Sequence, residues 1–427
     1  MLEFRLPMRS SQNYLSLLNF RGFQPFLYAQ FLGALNDNLL KIVVSMFAIH
    51  ADSATNRDST YLSLAGAVFI LPFILFSGYA GFISDRFNKR SVIIATKSTE
   101  IIATSAGTLA LISGHLEWML LSLFLMALHS TFFSPAKYGI LPEMVPFEDL
   151  SRANGLLEMT TFLAIILGTS VGGFLFARFH AEPFRIGLIL TGLAILGTGL
   201  SFGTRKVPFP DTRPLFYGNP WREILAGTRE LYRDRSMAWI VRLITLFWFL
   251  GALLQMNILL FGREAMNLGD FRIALFGAFL ALGIGGGSLV AGTLSKGRIA
   301  LGLTPIGLCG LSLLTTVLSV PGLPYPAVAL ILVLLGGAGG LYIVPLNSYL
   351  QAFGPPEAKG RTIATNNFYN MGGVLLASGA LWLLKSLFHF TPREIFLLLG
   401  LLLTGTTYIL ITLKSHLFRK AAGLNKS

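Results

Sequence analysis

Twelve apolar segments constrain the fold of this chain more than any other feature of its sequence. A helix crosses a bilayer in about 20 residues, and inside lipid it satisfies its own backbone hydrogen bonds. Only 12% of the residues are charged and 53% are hydrophobic, whereas soluble domains carry about 25% charged residues. The sequence therefore predicts an all-α membrane protein with twelve spans, at 24–50, 61–83, 91–112, 116–137, 153–178, 184–204, 237–262, 271–295, 299–319, 325–351, 362–386 and 393–415.

The longest polar stretch divides these spans six and six. It covers 205–236 and contains four prolines and seven basic residues. The halves resemble each other, since Pro135 precedes Arg152 by 17 residues and Pro345 precedes Arg361 by 16. Parallel repeats of this kind build the major facilitator fold, with a substrate site between the halves. We expect a six-helix bundle at 1–204, a cytoplasmic linker at 205–236 and a second bundle at 237–427.

The distribution of Lys and Arg predicts the orientation. With the N-terminus in the cytoplasm, the cytoplasmic segments hold 22 of the 33 basic residues and the opposite loops hold 7. Basic residues concentrate in cytoplasmic loops of membrane proteins, so both termini are expected to be cytoplasmic. The same rule accounts for the net charge of +13 without a nucleic-acid partner.

The loop between spans two and three carries a motif with a physical logic. A glycine permits close helix approach, an acid caps or pairs at a helix end, and basic residues hold that end at the cytoplasmic face. The alternative is an ordinary basic loop. The related loop of the second half keeps Gly292 but has Lys296 where the acid would be. We expect gating and structural roles for Gly81, Asp85, Arg86, Lys89, Arg90 and Arg152.

Asp37 is the residue of the first span whose burial in the membrane costs the most free energy. An Asp or Lys at mid-helix costs roughly 2.5–3.5 kcal/mol, and chains that keep one there usually place it on a polar pathway. Lys41 lies one turn further and shares its helix face, so the two residues either pair with each other or line a cavity. Asn36 and Asn38 flank the acid, and neighbouring positions point in different directions. We expect Asp37 with Asn38, rather than all three, to face a ligand.

Further polar residues recur in later spans. Lys137 either snorkels to the headgroups or contacts a phosphate, and Glu158, one turn beyond Asn154, is a candidate partner for it. Amides commonly join helices in lipid, so each of them has a structural alternative. The candidate substrate-binding set is Asp37, Asn38, Lys41, Lys137, Asn154, Glu158, Gln255, Asn347 and Asn366. The histidines lack metal-ligand spacing and there is no Walker A sequence, so neither a metal nor a cofactor is expected.

Three segments resemble the bacterial lysophospholipid transporter family of the major facilitator superfamily. They are 30–38, 133–143 and 150–158, and the likeness covers essentially all twelve spans. Matching family positions include Asp37, Lys137 and Glu158. One position departs, because Gln255 stands where stand-alone members of the family carry an Arg. Lys41 is a candidate to supply the missing positive charge near Asp37.

The resemblance implies a function. Such transporters move lysophospholipids, such as lysophosphatidylethanolamine, from the outer to the inner leaflet of the bacterial cytoplasmic (inner) membrane, where a separate acyltransferase/acyl-carrier-protein synthetase reacylates them. A monomer that contacts membrane lipids and is not an enzyme is expected. One rival is a proton-coupled facilitator of a soluble solute or drug. The other, a membrane-embedded acyltransferase, is disfavoured because no His-x4-Asp motif is present.

Overall fold

The computed structural model describes residues 13–55, 60–208 and 216–413. Its twelve long helices coincide one for one with the twelve predicted segments. They are α2 (Phe23–Thr55), α3 (Thr60–Arg86), α4 (Lys89–Ser113), α5 (Leu116–Met144), α6 (Leu150–Phe179), α7 (Pro183–Ser201), α9 (Arg235–Leu260), α10 (Asp270–Leu294), α11 (Leu303–Leu318), α12 (Tyr325–Phe353), α13 (Lys359–Trp382) and α14 (Pro392–Leu413). Two shorter helices accompany them, α1 (Tyr14–Leu18) and α8 (Pro220–Arg233).

Nine of the helices in the described ranges are both long and apolar enough to cross a membrane. The other three of the twelve helices do not meet both criteria, and in each case one feature of the sequence explains why. Helix α4 carries the charged residues Lys97 and Glu100 in its middle, and α11 has only 16 residues. Helix α13 carries amides, at Asn366, Asn367 and Asn370.

Some helix ends differ from the sequence-based expectation. Helix α5 continues to Met144, seven residues beyond the predicted end, because Ile140 and Leu141 extend its fully buried face. The segment expected as a linker contains helix α8. Asn219 caps α8 by accepting a hydrogen bond from the Arg222 backbone N–H, and Pro220 occupies its first turn, which are ordinary signals of a helix start.

Each half encloses its own apolar core. In the second half, one continuous cluster of buried side chains joins α9 to α10, α11, α12 and α14. In the first half, two clusters lie at opposite ends of the helices, one around Leu39 and Leu123 and the other around Phe26 and Ile140. Between the residues of these two clusters lie Asn36 and Asp37 of α2, Lys97 and Glu100 of α4, and His129 of α5.

Helices α10 and α12 approach each other through glycines. Gly283 and Gly287 on α10 face Gly336 and Gly340 on α12, each pair being spaced by four residues. A Cβ on Gly287 would lie 2.2 Å from the Gly337 carbonyl oxygen, so the backbones touch with no room for a side chain. Close packing between small residues is a principal source of helix association in lipid.

The two halves meet at the end of the bundle where α3 joins α4, α5 joins α6 and α12 joins α13. We call this the inner end; it is the end predicted to be cytoplasmic. Two pseudo-symmetric helix crossings close it. Gly81 of α3 packs against Gly360 and Arg361 of α13, and Gly292 of α10 packs against Ser151 and Arg152 of α6. The two related loops noticed in the sequence therefore perform equivalent packing.

The α10–α12 contact predicts that an added methyl group changes thermal stability in opposite directions at two adjacent glycines. Gly287→Ala adds a methyl group against a backbone carbonyl and should lower the thermal unfolding midpoint by several degrees. Gly286→Ala is the matched control, because nothing lies within 4 Å of that position and Ala is favoured over Gly in a helix by about 1 kcal/mol. Thermal unfolding of the purified protein in detergent measures both. Equal midpoints for the two variants would contradict the glycine-packed interface.

Candidate functional site

Asp37 lies midway along α2 and is half-buried. Its Oδ2 accepts a hydrogen bond from the Ser130 hydroxyl of α5 at 2.5 Å, while its Oδ1 has no hydrogen-bond partner among the described residues. Lys41 does not pair with it. The Lys41 ammonium instead lies 4.9 Å from the centre of the Phe69 ring, and no ion pair joins these two described residues. Of the two alternatives left open by the sequence, the structure thus excludes the pair in this conformation.

The amides beside Asp37 have other partners. Asn36 is fully buried and donates to Glu100 Oε1 at 2.9 Å and to the Leu190 carbonyl at 3.1 Å. Asn38 donates to the Ala34 carbonyl of its own helix at 2.7 Å. Asn36 therefore joins helices within the first half, although its own Oδ1, like the Oδ1 of Asp37, has no hydrogen-bond partner among the described residues.

Lys137 is held inside the bundle rather than at the headgroups, with 8% of its surface exposed. Its ammonium donates to Gln30 Oε1 at 3.5 Å and lies 4.8 Å from the Tyr138 ring centre. Gln30 is itself fixed, because its amide donates to the Thr160 hydroxyl at 2.7 Å. The ammonium is also within electrostatic reach of the Asp37 and Glu158 carboxylates. A cation and two acids therefore share one layer of the protein.

Glu158 joins the two halves. Its Oε1 accepts hydrogen bonds from the Tyr138 hydroxyl at 3.2 Å and from the Asn347 amide of α12 at 3.1 Å. Asn154, one turn earlier, exchanges two hydrogen bonds with Gln351 of α12, at 3.0 and 2.8 Å. Asn154 is thus satisfied within the closure of the inner end, whereas Glu158 keeps its second carboxylate oxygen for another contact.

The amide side chains of the second half also include some that are hydrogen-bonded within the protein and one that is exposed. Asn366 is buried and lies beside Asn370, whose amide, in the orientation that satisfies both of its atoms, accepts from Trp248 Nε1 at 3.2 Å and from Asn366 at 3.0 Å. Asn367 donates to the Ser134 hydroxyl of α5 at 2.8 Å, across the two halves. Gln255 is exposed on α9, one turn beyond Gly251, which has open space beside it.

Asp85 anchors the closure of the inner end. Its two carboxylate oxygens accept hydrogen bonds from the backbone N–H groups of Gly360, at 2.5 Å, and Arg361, at 2.8 Å. These are orphan donors of the first turn of α13, and an acid is stabilised there by the helix dipole. The Arg361 guanidinium in turn donates to Glu223 of α8 at 3.0 Å.

The side chains of three further gating candidates form polar contacts with residues of the first half. Lys89 forms an ion pair with Glu143 at 2.7 Å, and Arg152 pairs with Asp149 at 2.9 Å. Arg90 donates to the carbonyls of Phe202 and Thr204, at 2.6 and 2.8 Å, just beyond the end of α7. Arg86 makes no hydrogen bond or ion pair with the residues that the structure describes.

A buried charged cluster was not singled out from the sequence. Lys97 and Glu100, one turn apart on α4, form a fully buried ion pair, and the His129 ring nitrogen Nε2 lies 3.5 Å from the same carboxylate. Gly33 and Gly197 leave room for the ammonium, since a Cβ on either would lie within about 3.0 Å of it. The available signal was a Lys and a Glu three residues apart inside an apolar segment, a spacing that places them on one helix face.

The arrangement offers binding partners for a charged ligand. Separated cationic and anionic groups, with one free oxygen on Asp37, provide partners for a ligand that carries both charges. Among the described residues, no group of three or more metal-ligating side chains is brought together.

The comparisons with known proteins agree on a transporter. The family model of the Major Facilitator Superfamily matches residues 26–378. The Lysophospholipid transporter LplT of Enterobacter sp. (strain 638) is 29% identical over 383 residues, covering 87% of this chain and 91% of the relative. The protein of the same name from Escherichia coli O1:K1 / APEC is 28% identical over 367 residues, covering 84% of this chain and 87% of the relative.

A solved structure shares the fold. The human organic anion transporter MFSD10 (TETRAN) superposes with a TM-score of 0.74 at 15% sequence identity, covering 91% of this chain and 99% of that chain. A likeness at this identity bears on the architecture alone.

The buried cluster of α4 yields a prediction about stability. Glu100→Met leaves the Lys97 ammonium buried without a partner, which costs about 3–5 kcal/mol, so the variant should unfold at a much lower temperature. The double variant Lys97→Met/Glu100→Met removes both charges and should recover most of that loss. Thermal unfolding of the single and double variants tests this. A double variant as unstable as the sum of the single ones would contradict the pairing.

Proposed function

Because the chain belongs to the Major Facilitator Superfamily, we propose that it transports lysophospholipids from the outer to the inner leaflet of the bacterial cytoplasmic membrane. There a separate acyltransferase would reacylate them. Two relatives named as lysophospholipid transporters align over more than four fifths of the chain, which supports this substrate class. Alternating access of the two halves would carry the headgroup across.

The observation that carries the proposal is the mixed charge of the layer that contains Asp37, Lys137 and Glu158. Lys137 is buried within electrostatic reach of both Asp37 and Glu158. A zwitterionic headgroup such as phosphoethanolamine has the complementary pair, a phosphate and an ammonium. In the proposed complex Lys137 contacts the phosphate, and Asp37 or Glu158 faces the ammonium.

Lipid headgroups need such a layer for a physical reason. A polar group moved into hydrocarbon without a hydrogen-bond partner costs several kcal/mol, so an unassisted headgroup crosses the membrane slowly. Charge-assisted hydrogen bonds from the protein replace those of water. The single acyl chain would remain in contact with membrane lipid through a lateral slot between the halves.

Glu158 supplies a link between binding and closure. Its carboxylate accepts from Asn347 of the opposite half at 3.1 Å, so it helps to hold the halves together when no headgroup is present. A bound ammonium competes for that carboxylate. Competition of this kind gives the ligand a different affinity for the two conformations, which is the requirement for driving a conformational change.

Gln255 defines how this chain would differ from relatives with an Arg at that position. A neutral amide on α9 supplies no permanent cation in the second half, so the phosphate contact rests on Lys137 in the first half. Lys41, exposed and not paired with Asp37 in this conformation, is a second cation on the same side of the site.

Reconstituted protein tests the proposal. Asp37→Asn and Lys137→Gln should each lower the initial rate of lysophosphatidylethanolamine flipping in proteoliposomes by about tenfold or more, since a hydrogen bond to a charged group contributes about 1.5–3 kcal/mol. The matched controls are Glu264→Gln and Lys385→Gln, which neutralise an exposed ion pair and should keep the wild-type rate. Wild-type rates in Asp37→Asn and Lys137→Gln, at equal protein levels, would remove both residues from the mechanism.

Proton-coupled transport of a soluble solute is the second candidate, and one observation favours it. From Asp37 a series of polar groups leads through the Ser130 hydroxyl, at 2.5 Å, to His129 Nδ1, at 3.5 Å, and on to Glu100. Imidazole accepts a proton on one nitrogen and donates from the other. Transport of a soluble solute that collapses when the proton gradient is dissipated would favour this candidate. Lysophospholipid flipping that continues at the same rate without the gradient would favour the lipid transporter instead.

A further inference from the structure

Helix α8 presents three distinct faces. With 100° of rotation per residue, its positions fall into three stripes along the helix. The first stripe is buried against the bundle and consists of Glu223, Ile224, Gly227 and Leu231. The second is apolar and exposed and consists of Trp221, Leu225 and Tyr232. The third is basic and exposed and consists of Arg222, Arg229 and Arg233.

The helix lies beside the bundle rather than beneath it. Gly78 of α3 touches the Pro220 carbonyl so closely that a Cβ would lie 2.1 Å from its oxygen, and Thr365 of α13 touches Gly227 in the same manner. Gly78 lies eight residues before the end of α3, which is about 12 Å along the helix. Helix α8 therefore lies against α3 and α13 within about 12 Å of the inner end, which corresponds to the headgroup region if the inner end lies at the membrane surface.

The exposed side chains suit that depth. Trp221 and Leu225 expose 47% and 56% of their surface, which would be unfavourable in water. Nearby on α9, the Arg242 guanidinium stacks between the rings of Tyr232, at 4.9 Å, and Trp239, at 5.2 Å. Trp and Tyr concentrate where the membrane meets water, so these aromatic residues mark the interface.

The basic stripe forms no ion pair within the described part of the chain, although Arg233 lies within electrostatic reach of Glu230 on the same helix. The guanidinium groups of Arg222, Arg229 and Arg233 form no ion pair with another residue in the described ranges. Arg binds phosphate through paired hydrogen bonds, and a helix with basic and apolar stripes side by side lies in the interface of an anionic membrane.

From these faces we propose that α8 is an interfacial helix that binds the phosphates of anionic phospholipids in the inner leaflet. Trp221, Leu225 and Tyr232 insert among the upper acyl chains, and the three arginines contact the headgroup phosphates. This site is separate from the layer that contains Asp37, Lys137 and Glu158 and does not depend on the substrate that is transported.

Lipid bound at this site would reach the inner gate through the buried face of α8. Glu223 on that face accepts from the Arg361 guanidinium at 3.0 Å and from the Tyr217 backbone N–H at 2.7 Å. Arg361 belongs to the first turn of α13, whose N–H groups Asp85 holds. The buried face of α8 is therefore connected through Glu223 and Arg361 to the turn that Asp85 holds.

The test uses the full chain in nanodiscs with a photoactivatable phosphatidylglycerol. Cross-links mapped by mass spectrometry should concentrate on α8, and Arg222→Gln/Arg229→Gln/Arg233→Gln should reduce them about fivefold or more, because each basic residue near an anionic surface contributes attraction. The matched control is Arg178→Gln/Arg263→Gln/Arg272→Gln, which removes the same charge from exposed positions at the opposite end of the helices. That variant should keep wild-type labelling of α8.

A second measurement reports the depth of α8 in the membrane. In a Cys309→Ala background, a nitroxide at Leu225→Cys should be more accessible to oxygen than to a water-soluble nickel chelate. The triple α8 variant elutes as a monodisperse peak if its fold is intact, which separates loss of lipid from misfolding. Unchanged cross-linking in the folded triple variant, or greater access for the chelate at position 225, would overturn the proposal.

Discussion

The Asp85 carboxylate is the contact on which the closed inner end depends. It accepts two backbone hydrogen bonds, from Gly360 and Arg361, at the first turn of α13, and Gly81 allows α3 to approach that turn. The interaction joins the two halves at one point, and Arg361 extends it to Glu223 of α8. With the inner end closed in this way, Lys137 and Glu158 are buried, so the charged layer is shielded from that side.

The hydrogen-bond partners of the buried polar side chains distinguish structural residues from candidate binding residues in this protein. Inside a membrane an unpaired polar group is costly, and most of the buried ones here are paired within the chain. Asn36 is bound to Glu100, and Asn154 to Gln351. Asp37 and Asn36 each have one oxygen without a hydrogen-bond partner among the described residues, but the Asp37 oxygen belongs to an acid within electrostatic reach of Lys137. Asp37 is therefore the candidate of the two to meet a charged ligand.

The helices follow from the sequence because apolar length alone specifies a span, and the separate roles of Asn36 and Asp37 follow from helix periodicity. Hydrogen-bond partners that are distant along the chain cannot be predicted in this way. Gln351 lies 197 residues from Asn154, and no local pattern connects them. Glu100 pairs with Lys97 three residues earlier on α4, whereas His129, whose ring nitrogen lies 3.5 Å from the same carboxylate, belongs to α5 and is connected to it by no local pattern. Helix α8 was not predicted because prolines are frequent in its segment, although Asn219 and Pro220 are signals of a helix start.

The inter-half distance at the inner end tests the central claim most directly. With nitroxide labels at Phe87→Cys and Glu357→Cys in a Cys309→Ala background, which flank Asp85 and the start of α13 on exposed positions, double electron–electron resonance measures the gap. We predict one short distance with Asp85 intact and a larger population of long distances with Asp85→Ala, because the cap of α13 is lost. An identical distance distribution in both proteins would contradict the account.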